Sequence, residues 1–192
     1  MAISIPKRRQ SEVVGEFGPL GVERHEVAVD ENPSRPIFTL RLANWVTIAA
    51  VTDDARFVLV RQHRHGIDTV TIEPAGGVID EGEAPEASAL RELLEETGYE
   101  AREVESLGWV HPNPAMQANR CFLYLARGAR PAVDAEGRPR GTGDPEDASE
   151  STEPVLMTAA EVEAAIRDGR ISHGLGVLLL ERALGRVGQN VG

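Results

Sequence analysis

Three carboxylates sit within five residues near the middle of the chain, Glu92, Glu95 and Glu96, in a segment whose apolar spacing is helical. Pro85 suits a first turn, Leu90, Leu93 and Leu94 form one stripe, and Gly98 is a natural stop, so a helix is predicted over 85–97. At 100° per residue the three acids fall together, on the side away from the leucines. Each like-charge pair at i,i+3 or i,i+4 costs a helix about 0.2–0.5 kcal/mol. Arg91 can pair with Glu95 but cannot neutralise all three. The pattern therefore describes either a solvated acidic face or a cation site, and hard oxygen ligands suit Mg²⁺ or Mn²⁺ rather than zinc.

The preceding loop adds to this helix. Gly77, Glu83, Arg91, Glu92, Leu93, Glu95, Glu96 and Gly98 stand at the spacings of the Nudix box, Gx5Ex7REUxEExGU, with U a bulky aliphatic residue. The chain resembles a Nudix hydrolase on these positions and departs at Tyr99, where the pattern asks for an aliphatic residue; the ring is expected to pack on the core. The resemblance implies an α+β fold, the Nudix α/β/α sandwich with a mixed β-sheet. It also implies a Mg²⁺ cofactor, with Mn²⁺ as the alternative. Glu92 and Glu96 would be the main ligands, Glu95 would assist directly or through water, and the Gly76 carbonyl would complete the sphere. Glu95 and Arg91 stand among the catalytic candidates. Glu83 and Arg91 would orient the ligands, and Gly77, Glu83 and Gly98 would shape the loop and the helix end. The ion would lower the pKa of a water that attacks phosphorus.

Upstream, Val58-Leu59-Val60-Arg61-Gln62-His63-Arg64 and Pro74-Ala75-Gly76 resemble the ADP-ribose and nucleoside-diphosphate-sugar pyrophosphatase branch, as does Pro114, 15 residues after Tyr99. His63 replaces a usual tyrosine, and Glu73 directly precedes Pro74 where the branch places its acid one residue earlier. Arg61 and Arg64 would contact phosphate, or are solvated strand-end arginines. Trp45 would stack on a base, or belongs to the core. The catalytic base of that branch often lies on a loop before the penultimate helix, which makes Glu150 the first candidate here and Glu153 the second. The expected reaction is Mg²⁺-dependent hydrolysis of ADP-ribose or a related nucleotide sugar to a nucleoside monophosphate and a sugar phosphate. The alternatives are a nucleoside-triphosphate or dinucleotide-polyphosphate hydrolase and a nucleotide-sensing domain without turnover.

The elements that must hold these residues are strands first. Segments 22–29 and 36–42 alternate, 45–52 and 57–61 are β-rich around the turn Asp53-Asp54-Ala55-Arg56, and strands return near 104–110 and 120–126. A Gly/Pro/acid-rich stretch over 128–152 reads as a long loop. Val155-Leu156-Met157 reads as a strand, Thr158 with Glu161 as a capping box for a helix ending at Gly169, and Ser172 as the cap of a last helix through Leu184. The division expected is a β extension over 1–44 and a Nudix domain over 45–192. By the resemblance, the extension pairs two subunits into a homodimer.

With 31 acids against 20 bases among 192 residues, the net charge of −11 argues against nonspecific nucleic-acid binding. The excess is focused in 77–99 and 144–153, as a cation site or two solvated acidic segments would require. The five histidines have no metal-ligand spacing. Cys121, the single cysteine, lies in an apolar Cys-Phe-Leu-Tyr-Leu run and reads as an inert core thiol. No signal-like h-region follows Lys7-Arg8-Arg9 and no run of about 18 apolar residues occurs, so no membrane span and a cytoplasmic location are expected.

Overall fold

A computed structural model of the chain describes residues 4–29, 32–137, 140 and 152–187. The chain contacts divide it into two units, residues 1–44 with 111–120, and residues 45–110 with 121–192. The first contains an antiparallel sheet of three strands, β1 (Lys7–Phe17), β2 (Leu20–Ala28) and β3 (Arg35–Arg41), in that order. Its register is pinned by His25, buried in the middle strand, whose ring nitrogens bond Ser11 Oγ of β1 at 2.8 Å and Thr39 Oγ1 of β3 at 2.6 Å. Residues 111–120 join this unit through Leu40 N–H, which donates to the Met116 carbonyl at 2.7 Å, and Asn119, whose side chain donates to the Ala43 carbonyl at 2.9 Å.

The second unit is built on β4 (Trp45–Thr52), β5 (Arg56–Arg64), β6 (Thr69–Glu73), β7 (Tyr99–Glu100), β8 (Val104–Val110), β9 (Cys121–Pro131) and β10 (Thr152–Thr158). They form one seven-stranded mixed sheet with the path β10-β5-β4-β9-β7, in which β6 pairs with β5 and β8 with β9. The β4–β9 ladder is parallel and the others are antiparallel. Alternation sorts the side chains. Val46, Ile48 and Ala50 of β4, with Val58, Tyr124 and Ala126, pack with Ala89 and Leu93 of α1 (Pro85–Thr97). Ala49, Val51, Phe57, Leu59, Leu123 and Leu125 pack with α2 (Ala159–Arg167) and α3 (Gly174–Val187). The fold is thus the α+β sandwich with its sheet between helical layers. Cys121 lies fully buried in the second of these cores, which pushes its thiol up to about 12. Tyr99 packs against the first.

Several element limits differ from the sequence expectation. β1 was not anticipated, because its side chains are nearly all exposed and carry no burial alternation. β5 continues to Arg64 and pairs there with β6, another unanticipated strand. β9 runs to Pro131, into the stretch assigned to a loop, because the two-residue β7 pairs with its end. Thr158 makes the capping box with Glu161 as expected. Ser172 does not cap the last helix, which opens later, at Gly174. No described helix is long and apolar enough to cross a membrane.

Candidate active site

The box begins as the continuation of β6. After Pro74 the chain bends onto β4, where Val46 and Ile48 N–H donate to the carbonyls of Gly77 and Ala75, both at 2.9 Å. This approach demands glycine. A Cβ on Gly76 would lie 2.3 Å from the Val46 carbonyl oxygen, and one on Gly77 would lie 2.4 Å from Glu92 Oε1. Helix α1 then starts with Pro85 in its first turn and ends at Gly98, whose left-handed backbone (φ 70°) lets its N–H donate to the Leu94 carbonyl.

The helix is rolled relative to the expected leucine stripe. Its buried residues are Ser88, Ala89, Glu92, Leu93 and Thr97, while Leu90 and Leu94 are only half-buried. The small Ser88 and Ala89 let that side approach the sheet, which draws Glu92 inward beneath Gly77. Glu96 turns to the same loop and accepts the Gly76 N–H at 2.9 Å. Glu95 is exposed and held by Arg91 Nη1 at 2.9 Å, the nitrogen that also bonds Glu92. The three acids keep to one side of the helix, with Glu92 and Glu96 at the loop and Glu95 at its solvent edge.

Arg91 fixes this arrangement. Its guanidinium grips both oxygens of Glu83 at 3.1 Å and also donates to Glu92 Oε1 and Glu95 Oε2 at 2.9 Å, the Val78 carbonyl and Ser88 Oγ. The hydrogen bond to Glu83 raises the already high pKa of Arg91 further, and the same contact holds the Glu83 carboxyl down at about 2. The hydrogen bonds to protein thus use Nε, Nη1 and Nη2 of the guanidinium. Glu83 also ties the loop by accepting Asp80 N–H at 3.2 Å.

These groups open on a cleft of about 450 Å³ lined by Trp45, Gln62, Arg64, Gly76, Gly77, Val78, Asp80, Arg91, Glu92 and Glu96. Gln62 was not singled out from the sequence, yet its Nε2 is buried with no hydrogen-bond partner. Such a donor at a cleft wall is costly unless a ligand or water satisfies it. Glu73 was also missed as a site residue. Burial would push its carboxyl up, but hydrogen bonds from His173, Arg64 and Thr71 together hold it well below the usual carboxylate range. The remaining candidates lie elsewhere. Arg61 faces Glu153 across the β5–β10 pair and bonds it at 3.1 Å, and neither lines the cleft. Pro114 belongs to the other unit, where it lines a cavity of about 310 Å³ with Arg8, Thr39, Arg41 and His111. Glu150 lies outside the described residues.

Among the described residues no three His, Cys, Asp or Glu side chains converge as a ready metal cluster. The donor set nevertheless fits a hard divalent ion. Glu92 and Glu96, which line the cleft beside Gly76, offer carboxylate oxygens, and Mg²⁺ is usually held by one or two carboxylates plus water and substrate phosphates.

A family model described as NUDIX domain matches residues 43–175. The chain is a member of the Nudix hydrolase family. Divalent-metal use is general among Nudix hydrolases. Its relatives include the methanol dehydrogenase activator of Bacillus methanolicus, 29% identical over 136 residues, which are 71% of this chain and 69% of that protein. They also include the ADP-ribose pyrophosphatase of Bacillus subtilis (strain 168), 35% identical over 81 residues. That alignment takes in 42% of this chain and spans less than half, 44%, of the relative. A solved structure titled as an ADP compounds hydrolase superposes with a TM-score of 0.83 over 99% of this chain and 98% of that one, at 21% identity, a likeness of Nudix fold.

Proposed function

We propose that the chain hydrolyses the diphosphate bond of ADP-ribose or a related nucleoside diphosphate sugar, with Mg²⁺, to a nucleoside monophosphate and a sugar phosphate. The carrying observation is the composition of the cleft. The Arg64 guanidinium, the Trp45 indole and the unpartnered buried amide of Gln62 stand in the same 450 Å³ space as Glu92, Glu96 and Gly76. A cation for phosphate, an aromatic for a planar base and a donor for a hydroxyl or phosphate oxygen suit a nucleotide joined to a polar group. The similarity to an ADP-ribose pyrophosphatase over the residues aligned supports the same substrate class.

Glu92, Glu96 and the Gly76 carbonyl would hold the ion, which supplies neutralisation of diphosphate charge and a more acidic water. Arg91, braced by Glu83, keeps Glu92 in place, and the Gly76 N–H holds Glu96. Arg64 orients the diphosphate, and Trp45 supports the base or sugar. Proton abstraction from water is assigned first to Glu150. Glu153, paired with Arg61 across the β5–β10 ladder, is the second choice.

The test is chromatographic product analysis of ADP-ribose, nucleotide sugars, triphosphates and dinucleotides, with Mg²⁺ and with chelator. Chelator-sensitive release of AMP and ribose 5-phosphate is expected. Cleavage confined to triphosphates or dinucleotides would overturn the substrate, and metal-dependent binding with no product would make this a sensing domain. Glu96→Gln should lower kcat by about 100-fold or more, beyond what loss of an outer-shell partner costs, with its melting temperature near that of the parent. Glu150→Gln should slow turnover with metal binding intact; an unchanged rate would move the base to Glu153 or away from this loop.

A further inference from the structure

Of the described acids only Glu73 and Glu92 are buried, and Glu73 is the deeper, 1% exposed. Four hydrogen bonds converge on it: Arg64 Nε at 3.0 Å and Nη2 at 2.8 Å, Thr71 Oγ1 at 2.5 Å, and His173 Nδ1 at 2.8 Å. All come from residues outside α1. Two of these partners lead to the cleft by different routes. Arg64, at the end of β5, lines it directly. His173, just before α3, stacks on the indole of Trp45 with ring centroids 5.7 Å apart and planes 19° from parallel, and Trp45 lines the same cleft from the start of β4. One buried carboxylate thus holds a cationic wall and, through an imidazole, an aromatic wall. The bidentate grip fixes the guanidinium plane, and the bond to Nδ1 fixes the imidazole against which the indole rests.

We propose that Glu73 is a positioning residue, which sets Arg64 and, through His173, Trp45 in the geometry that receives substrate, while the α1 carboxylates act independently of it. The kinetic half of this inference rests on the substrate reading above; the spectroscopic half does not. Because the walls bind the substrate similarly before and during reaction, loosening them raises KM and leaves kcat nearly unchanged.

In a Trp109→Phe background Trp45 is the one remaining tryptophan and reports on its own packing. Glu73→Gln in that background should raise the acrylamide quenching constant of Trp45 about twofold and KM about tenfold, with kcat within about threefold of the parent. A folded variant with parental quenching and parental KM overturns the proposal. So does a change in only one of the two, or a fall in kcat at unchanged KM. Should Glu73→Gln fail to fold, His173→Leu must raise Trp45 quenching and Arg64→Ala must raise KM, and a parental value of either overturns it. A parent that turns over none of the substrates while the quenching change persists refutes the substrate reading and leaves the Glu73–His173–Trp45 coupling standing.

Discussion

Arg91 and Glu83 form the hub of the metal-loop side of the site, and the hub has a pH signature. The Glu83 carboxyl is lowered from its ordinary 4.5 to about 2, mainly by its hydrogen bonds from Arg91. A carboxyl depressed in the folded state contributes stability that is fully present above the unfolded value and is lost as pH falls through the folded one. The stability difference between the parent and Glu83→Gln should therefore be full above about pH 4.5 and shrink toward pH 2. Urea unfolding at a series of pH values measures it, and a difference independent of pH across that range would remove the pair from the stability of the loop. At this scale the sequence was informative where spacing carries chemistry. Glu83, Arg91, Glu92 and Glu96 do meet at one loop. It was silent on Glu73, whose partners Arg64, Thr71 and His173 come from three places in the chain. It left Arg61 open between phosphate contact and a solvated strand end, because the cross-strand partner Glu153 lies 92 positions away.

Among the elements, the contact between the 76–78 loop and α1 is a tight constraint. Gly77→Ala would set a Cβ against both Glu92 oxygens, at 2.4 and 2.7 Å, and must displace the carboxylate or the loop. Overpacking of this kind costs about 1–3 kcal/mol. The expected result is a lowered melting temperature together with a severe loss of kcat, and a variant with parental turnover would show that Glu92 need not sit there. Periodicity located α1 to the residue but not its rotation. The leucines point to one face, whereas small residues and the arginine hub decide which face meets the sheet. β1 escaped detection because its side chains are nearly all exposed, and β6 because the residues it buries, Thr71 and Glu73, are polar and make no apolar alternation.

For the molecule as a whole, assembly turns on the N-terminal sheet. Val13, Phe17 and Phe38 are 50%, 67% and 55% exposed there, a large apolar content for a sheet of three strands. The homodimer expected from the family resemblance would cover such residues. Light scattering at micromolar concentration should give twice the chain mass, and Val13→Glu with Phe17→Glu should give the single-chain mass; a monomeric parent would count against the dimer. The grouping of 111–120 with this sheet was not legible, because the hydrogen bonds that make it join residues far apart in the chain. The β4–β9 ladder has its own consequence, for the order of assembly. Trp45 lies opposite Cys121 and Val51 opposite Arg127, so β4 finds its parallel partner only after the loop, α1, β7 and β8 have been made. At about 5–20 residues per second a ribosome would leave β4 without that neighbour for roughly 4–15 s. Both its faces are apolar, and β5 covers it at only Ala50 and Val51. The nascent chain is thus most exposed to misassociation in that interval, when a chaperone that shields extended apolar segments would have the most to offer it.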